Sequence, residues 1–322
     1  MILLNLLDIG ARYGIHPNWK NFTGEANYHL VEADNDEVKR LKKKYKKYKN
    51  IKVYNHALGK ENEILNLNIL QNPPMSGFIE RENVSPLFWG QRKKQQKIKK
   101  IKKIKTISLN NFISKSKFNF DFLKLDVEGF EVKILENGFK IFDHLLGARS
   151  EVCFTKVYKS VHVKNVGTFN PIHEMFVDQN FVLLNLDYHG KGDFYSNLIP
   201  PSQNYGQLES TDAVWIKNPK SAIIDLTMEQ TIKYICFLLL NNGVDVALWT
   251  LEKTYKKFGS FTKYKNSKSL KFIKESVCKN FYSLKWIPNQ KLNDHKNFYQ
   301  KVFKSKYPEM NKFNEMSEFN PY

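Results

Sequence analysis

The feature that most constrains this chain is its opening stretch, MILLNLLDIGARYG, from Met1 to Gly14. A short apolar run, Ile2 to Leu7, ends in Asp8-Ile9-Gly10, and a loop follows that closes on Gly14. An apolar run of that length bounded by glycine reads as a strand buried on both faces, the usual state of a parallel strand. Glycines at its carboxyl end let backbone pass close to a ligand without interference from Cβ. In open α/β sheets that end is where small molecules bind. The plain alternative is a strand-to-loop turn that needs glycine for positive φ.

Glu32 favours the ligand reading. It ends a second candidate strand, Tyr28-His29-Leu30-Val31, about twenty residues beyond the glycine loop, where an acid is placed to accept hydrogen bonds from both hydroxyls of a ribose. The loop is Gly10-x-x-x-Gly14 rather than the Gly-x-Gly-x-x-Gly of dinucleotide enzymes. A looser loop with Asp8 before its first glycine suits a nucleoside without a pyrophosphate, as in S-adenosylmethionine (SAM). Asp8, Gly10, Arg12, Gly14 and Glu32 therefore form a candidate cofactor site. Asn55 and Ala57, in the loop after a third strand at Ile51–Tyr54, would border the adenine.

Between the second and third strands, Asp34 to Lys47 reads as a helix capped by Asp34 or Asn35, with Val38, Leu41 and Tyr45 on one face. Strand, helix, strand at this spacing is a right-handed βαβ unit. Residues 63–70 alternate as a further strand, and a Pro-containing loop from Asn72 to Gly90, with Phe88-Trp89, is a candidate substrate-facing lip. In Arg92 to Lys105, Ile98, Ile101 and Ile104 recur every third residue among lysines, fitting neither a clean helix nor a clean strand. An edge strand protected by lysines and an anion-binding strip are both open.

A second landmark follows. Phe120 to Leu125 reads as a strand with Asp126 at its end, and Val127-Glu128-Gly129 turns into a helix from Phe130 to Glu136, stopped by Gly138. Asp126 would lie level with Asp8 and Glu32. Asp126, Glu128 and Glu131 fall within six positions, and crowded carboxylates either raise one another's pKa for proton transfer or hold a metal. They are the candidate catalytic residues. Asp126 and Glu151, on a fifth strand at Arg149–Thr155, are candidate ligands for a divalent cation such as Mg²⁺. Phe181–Leu186 and Thr211–Lys217 complete seven strands, with a loop-rich stretch from Asp187 to Gln207 between them. The expectation is an α/β fold: a Rossmann-like, seven-stranded doubly wound sheet, as in class I methyltransferases, whose last hairpin brings in an antiparallel strand.

The α/β domain is expected over residues 1–218, and a basic, aromatic-rich α-helical appendage over 219–322. Within the appendage, 231–251 read as two buried helices with a turn at Asn242-Gly243, and no stretch reaches the ~18 apolar residues of a membrane span. Lys+Arg 51 against Asp+Glu 32 gives a net charge of +19. That balance favours an anionic acceptor, an anionic membrane surface touched peripherally, or nucleic acid. An AT-rich coding sequence would produce the same lysines without selection for charge. Cys153, Cys236 and Cys278 are widely spaced with no CxxC, which excludes a disulfide scaffold and suits a reducing compartment. The apolar start lacks a basic leader and carries Asp8, so a cytoplasmic location is expected.

With both landmarks placed, the chain resembles the FkbM family of SAM-dependent methyltransferases. The segments that carry the resemblance are Leu6 to Trp19, HLVEAD (His29 to Asp34), HALG (His56 to Gly59) and, most specifically, DFLKLDVEGFEVKILENG from Asp121 to Gly138. EVCFTKVYKSVHV (Glu151 to Val163) and STDAVWIK (Ser210 to Lys217) match the family's later strands. The resemblance covers about residues 1–218. It implies O-methylation of a hydroxyl on a sugar or a glycosylated or polyketide product, with SAM as cofactor and a small-molecule or glycan acceptor as partner. Two rivals stand beside it: an RNA methyltransferase, and a non-catalytic module that binds anionic glycan or membrane. Leu125-Asp126-Val127-Glu128 stands where a base methylase carries an Asn/Asp-Pro-Pro-Tyr/Phe tetrad, which argues against base N-methylation.

Overall fold

The computed structural model describes residues 3–22, 25–81, 94–155, 157–159, 167–192, 207–282 and 289–308. The chain forms β1 (Leu4–Ile9), β2 (Ala26–Glu32), α1 (Asn35–Tyr45) and β3 (Ile51–Asn55). Then come β4 (Ala57–Leu58), β5 (Ile64–Leu70), β6 (Ile98–Ile107) and α2 (Leu109–Ser116). It returns through β7 (Phe122–Leu125), α3 (Glu131–Glu136), β8 (Gly147–Cys153), α4 (Phe169–Asp178), β9 (Phe181–Gly192) and β10 (Gln207–Lys217). Seven strands make one sheet in the order β3-β2-β1-β7-β8-β10-β9. β1 pairs parallel with β7, β2 with β3 and β7 with β8, while β10 runs antiparallel to β8. This is the doubly wound, Rossmann-like α/β architecture of methyltransferases. The chain winds outward from β1 to β3, then restarts at β7 on the other side of β1. That reversal opens a crevice at the carboxyl ends of β1 and β7, where doubly wound sheets bind ligands.

The core explains why these segments are strands. Leu7, Ile9, Leu123, Leu125, Ala148, Val152 and Ala213 are all buried to within a few per cent, as strands covered on both faces require. Phe176 of α4 stacks on Trp215 of β10 with ring centroids 4.6 Å apart, and the Trp215 Nε1–H donates to His173 Nδ1 at 3.1 Å. α1 starts where Asp34 Oδ1 accepts the Asp36 N–H at 3.1 Å, with Val38 and Leu41 buried on its inner face.

Several boundaries differ from the sequence reading for identifiable reasons. β1 runs two residues beyond the apolar run, so Asp8 lies inside the strand, because the register sets it opposite Lys124 of β7. β9 continues to Gly192 where a loop is expected from Asp187. Arg149 donates to Asp187 of β9 at 2.6 Å and to Asp212 of β10 at 2.9 Å, clamping both strands. α3 ends at Glu136 as expected, but its C-cap is Asn137, and Gly138 has φ −142° rather than a left-handed conformation. Glycine is needed there because a Cβ would lie 2.5 Å from Leu109 Cδ2. Phe88, Trp89, residues 199–206 and Trp286 lie outside the described residues.

The period of three in the basic segment also acquires a cause. β5 and β6 form an antiparallel ribbon, and only Thr106 and Ile107 of β6 pair with β4. Leu70 pairs with Ile98 but Ile69 pairs with Lys100, so Lys99 is an extra residue on β6. Such a bulge moves the alternation by one. Ile98 and Ile101 therefore share the face of Leu70 and Asn68, while Lys100, Lys102 and Ile104 share the opposite face with Ile69, Leu67 and Leu65.

The chain divides into two compact units: Asn5–Ile15 with Asn27–Ile216, and Met1–Leu4, His16–Ala26 and Lys217–Tyr322. The second unit contains α5 (Pro219–Asp225), α6 (Met228–Leu240), α7 (Val244–Phe258), α8 (Lys268–Tyr282) and α9 (Asn289–Phe303). Thr227 and Gln230 form a reciprocal capping box at the start of α6, and Asn242, at φ +60°, makes the turn into α7. Within this unit Phe22 packs edge-on against Phe272 at 5.2 Å, and Glu25 accepts the Ser269 N–H at 3.1 Å. The three cysteines are free and buried. Among the described residues, no helix is long and apolar enough to cross a membrane.

One buried group ties the sheet's stability to pH. His29 of β2 is fully buried, with Nδ1 2.9 Å from the Tyr54 hydroxyl and Phe118 and Phe120 edge-on to its ring. Burial, reinforced by Lys52, lowers its pKa to about 4. The unfolded chain then takes up the proton first as pH falls through 6.5, and stability is lost until about pH 4. We expect urea unfolding to show wild-type stability falling by about 3 kcal/mol more than that of His29→Gln between pH 7 and pH 4.

Candidate active site

The site is built at the carboxyl ends of β1 and β7. Lys124 points from β7 between two carboxylates: its Nζ lies 3.5 Å from Asp8 Oδ1 and 3.1 Å from Asp126 Oδ2. Burial alone would depress the lysine, but Asp126 and Asp8 outweigh it and hold the ammonium above its usual range. Burial raises Asp8 despite Lys124, with Asp126 adding to the rise. The sequence reading did not include Lys124. Its signal was a lone cation interrupting the apolar strand Phe122-Leu123-Lys124-Leu125, which implies a buried partner.

Gly10 and Gly14 both have left-handed backbone, at φ +86° and +85°. At Gly10 a Cβ would meet the Asp126 carbonyl oxygen at 1.8 Å, and at Gly14 it would meet the Tyr45 hydroxyl at 2.2 Å. Both glycines thus serve close packing within the protein, which draws the ends of β1 and β7 together and seats the loop on α1. The Tyr45 hydroxyl completes that seat by accepting the Ile15 N–H at 3.1 Å.

Glu32 ends β2, nearly buried, with Oε1 accepting the Asp34 N–H at 2.8 Å. Burial raises its pKa against that hydrogen bond and against Arg12. Asn55 sits beside it, its Nδ2 donating to the carbonyls of Glu32 and Ala33 at 3.3 Å each. Asp8, Gly10, Gly14, Glu32 and Asn55 are thus brought to one edge of the sheet. Two expected members are engaged elsewhere. Arg12 lies 3.5 Å from Asp34 and 3.6 Å from Glu37, bound to the start of α1. Ala57 is buried in β4, paired with Thr106 in the small sheet.

Asp126 leads into the turn Val127-Glu128-Gly129, where Glu128 takes φ +58° and Gly129 φ +94°. Glu131 serves this turn. It is 1% exposed, and its Oε1 accepts the N–H groups of Val127 at 3.0 Å and Gly129 at 3.4 Å. Its Oε2 is buried without a hydrogen bond among the described residues. Burial, with Asp126 and Glu128 nearby, raises its pKa to about 7. Glu131 is therefore a positioning residue rather than a group facing a ligand.

Glu128 faces the other way. It is paired with the Arg81 guanidinium and accepts the Tyr158 hydroxyl at 3.0 Å. Arg81 also stacks on the Tyr158 ring, 5.1 Å from its centroid. Neither Arg81 nor Tyr158 was singled out from sequence, and no local pattern marks them. Asp126, Glu128 and Glu151 each bring a carboxylate oxygen within 4.8 Å of the others. Burial and the charges of Glu128 and Asp126 push Glu151 well above the carboxylate range. Burial also raises Glu128, against the pull of Arg81. One cation between two strand ends, and three carboxylates close together, can orient a hydroxyl and take its proton.

The family model described as "Methyltransferase FkbM domain" matches residues 8–183, more than half of the chain. No curated protein sequence matches. Among solved structures, the FkbM methyltransferase of Methylobacillus flagellatus is 12% identical with a TM-score of 0.39, covering 66% of this chain and 43% of that one. A Rossmann-superfamily protein from Streptococcus agalactiae is 11% identical with a TM-score of 0.34, covering 93% and 87%. An rRNA methylase from Streptococcus thermophilus is 8% identical with a TM-score of 0.34, covering 67% and 88%.

The buried Glu131 yields a measurable consequence. Its folded pKa lies above its unfolded one, so its stabilising contribution is complete below pH 4.5 and is lost as pH rises through 7. Glu131→Gln keeps a carbonyl for the two N–H groups and removes the charge. We expect the variant to exceed the wild type in stability at pH 8, by about 3 kcal/mol, and to match it near pH 4.5, as read by denaturant titration.

Proposed function

The chain belongs to the FkbM methyltransferase family, and from that premise we propose that it methylates a hydroxyl of a sugar or glycosylated product, using SAM. The carrying observation is the cluster of Asp126, Glu128 and Glu151, whose carboxylate oxygens lie within 4.8 Å of one another beyond the ends of β7 and β8, next to the sheet's switch point. SAM supplies the electrophilic methyl group on a sulfonium. The chain's residues fit such a cofactor. Among the described residues Glu32, at the end of β2, is engaged only through Oε1, by the Asp34 N–H, leaving a carboxylate oxygen for ribose hydroxyls. Gly10 and Gly14 hold the loop close to the strand ends, Lys124 fixes Asp8, and Asn55 pins the end of β3 beside Glu32.

Methyl transfer to oxygen requires alignment and removal of one proton. Asp126 is assigned as the group that accepts it. Its carboxylate is the most exposed of the cluster's ion-paired acids, and Lys124 orients it. Glu151, driven upward by burial and by its acidic neighbours, is suited to hold that proton afterwards. Three carboxylates are also a donor set for a hard divalent cation, which would lower the acceptor hydroxyl's pKa if held by Asp126, Glu128 and Glu151. Arg81 and Tyr158 already satisfy Glu128, so the proposal runs without a metal.

Three measurements test the reading. Calorimetric titration with SAM and S-adenosylhomocysteine is expected to show micromolar binding that Glu32→Ala weakens at least tenfold. Asp126→Asn is expected to lower turnover by a hundredfold or more while keeping SAM affinity within a few-fold; loss of binding would instead move Asp126 to the cofactor site. EDTA treatment is expected to leave turnover within twofold, and recovery by Mg²⁺ of a lost activity would establish the metal.

A further inference from the structure

The two faces of the β5–β6 ribbon meet different surroundings. On the inner face Leu67 is buried, Leu65 packs against the main core, and Lys102 is ion-paired with Asp34 and Asp36. On the outer face the register sets Ile64 opposite Lys105, Asn66 opposite Lys103 and Asn68 opposite Ile101, and the bulge at Lys99 carries Ile98 to the same side. Asn68 and Leu70 are buried at the bulged end. The rest of this face is open to water: Ile64 is 68% exposed, Ile101 53% and Ile98 43%.

Lysines stand among these isoleucines. Lys99, Lys103 and Lys105 are exposed, and among the described residues none of the three makes an ion pair. The stretch from Lys97 to Lys105 contains no acid. Each feature alone has an ordinary cause: lysines keep strand edges apart, and single exposed apolar side chains are common. Edge protection, however, calls for charge and gains nothing from three branched aliphatic side chains held in water. Cations and aliphatics together on one ribbon face complement a phase that is anionic at its surface and apolar beneath. An anionic phospholipid bilayer has that profile, attracting lysines to its headgroups and admitting aliphatic side chains at the acyl boundary. A nucleic acid would leave the isoleucines idle, and neither 64–70 nor 98–105 contains an aromatic ring on which a base could stack.

We propose that the outer face of the β5–β6 ribbon is a peripheral docking surface for an anionic phospholipid bilayer. Lys99, Lys103 and Lys105 meet the headgroups, and Ile64, Ile98 and Ile101 reach the acyl boundary. Lys102 serves the opposite face: its pairs with Asp34 and Asp36 hold the inner side of the ribbon to the start of α1, which leaves the outer side free. The inference does not depend on which acceptor the protein methylates, nor on methyl transfer itself.

The test is co-sedimentation of the full chain with vesicles of phosphatidylcholine alone and of phosphatidylcholine with about one third phosphatidylglycerol. The wild type is expected to partition at least tenfold more strongly onto the anionic vesicles, and less strongly as salt rises. A lysine close to such a surface contributes about fivefold, so the pair Lys103→Gln and Lys105→Gln is expected to weaken binding about twentyfold. Ile101→Ser is expected to weaken it at least threefold with the salt dependence unchanged. The pair Lys46→Gln and Lys47→Gln removes the same charge from exposed positions after α1 and is expected to change binding less than about twofold. Urea unfolding midpoints are read on every variant, and all five substituted positions are exposed, so the fold is expected to be kept. Absence of binding to the anionic vesicles overturns the proposal. Equal loss from the two lysine pairs also overturns it, because net charge alone would then account for binding. Binding that Ile101→Ser leaves intact overturns it as well, and assigns the face to a soluble polyanion such as a nucleic acid.

Discussion

A lysine inside the central strand of a buried sheet is costly, and much of this site follows from how that cost is met. An isolated ammonium removed from water carries a penalty of several kcal/mol, and Lys124 meets it with Asp8 on one neighbouring segment and Asp126 on another. Asp8 must then lie directly across from Lys124, which fixes the β1–β7 register, since a slip by one residue would turn the carboxylate to the other face. With the register fixed, Gly10 meets the Asp126 carbonyl so closely that no side chain fits. The glycine that looks made for a ligand is first a consequence of an ion triad. The ligand crevice at the switch point is the space these two strand ends leave.

The second constraint is mutual repulsion. Asp126, Glu128, Glu131 and Glu151 crowd one turn, and the structure separates their roles by giving each a different partner. Glu131 is turned inward onto two backbone N–H groups, Glu128 is turned outward onto Arg81 and Tyr158, and Asp126 keeps Lys124. Glu128 sits at φ +58°, a conformation that costs a non-glycine residue on the order of 1 kcal/mol. The adjacent Gly129 cannot carry a Cβ because the Tyr158 ring lies 2.8 Å from where it would be. The strained turn therefore directs two successive acids to opposite sides, which an ordinary helix entry would not do. Among the described residues Glu151 forms no ion pair, and burial with its acidic neighbours pushes its pKa well above the carboxylate range against the pull of Arg81.

What the sequence made legible was whatever depends on local pattern. Buried parallel strands announce themselves as apolar runs, and the acids in or after them stand out, so the positions of Asp8 in β1, Glu32 at the end of β2 and Asp126 after β7 were legible before the fold was known. What was missed depends on pairing across the chain. Lys124 belongs to the site because Asp8, more than a hundred residues earlier, lies opposite it. Arg81 and Tyr158 meet through an isolated bridge between distant segments. Arg12 looked like a ligand contact because it lies in the glycine loop, but the acids at the start of α1 are nearer. Glu131 looked catalytic by proximity in sequence, and the helical turn that follows Gly129 rotates it into the core.

The basic ribbon shows how one irregularity can give meaning to a repeat that fits no regular period. Without the extra Lys99, Ile98 and Ile101 would alternate to opposite faces, and Ile98 would be withdrawn from Leu70 and the cavity. With it, the two faces of the ribbon differ in kind. On one, Lys102 donates to Asp34 at 2.5 Å and to Asp36 at 2.7 Å, holding the ribbon to the cap of α1 two residues from Glu32. On the other, Ile98 and Leu70 form the floor of the cavity that reaches Arg81. The same strand thus reaches from the cap of α1 to a cavity of about 250 Å³ lined by Leu70, Ile98 and Arg81. Its lysines cannot all be surplus charge, because at least Lys102 carries a structural ion pair that sets this span. A shift of register in the ribbon would alter both ends together, because the ion pair of Lys102 with the cap of α1 and the pairing of Leu70 with Ile98 belong to one strand.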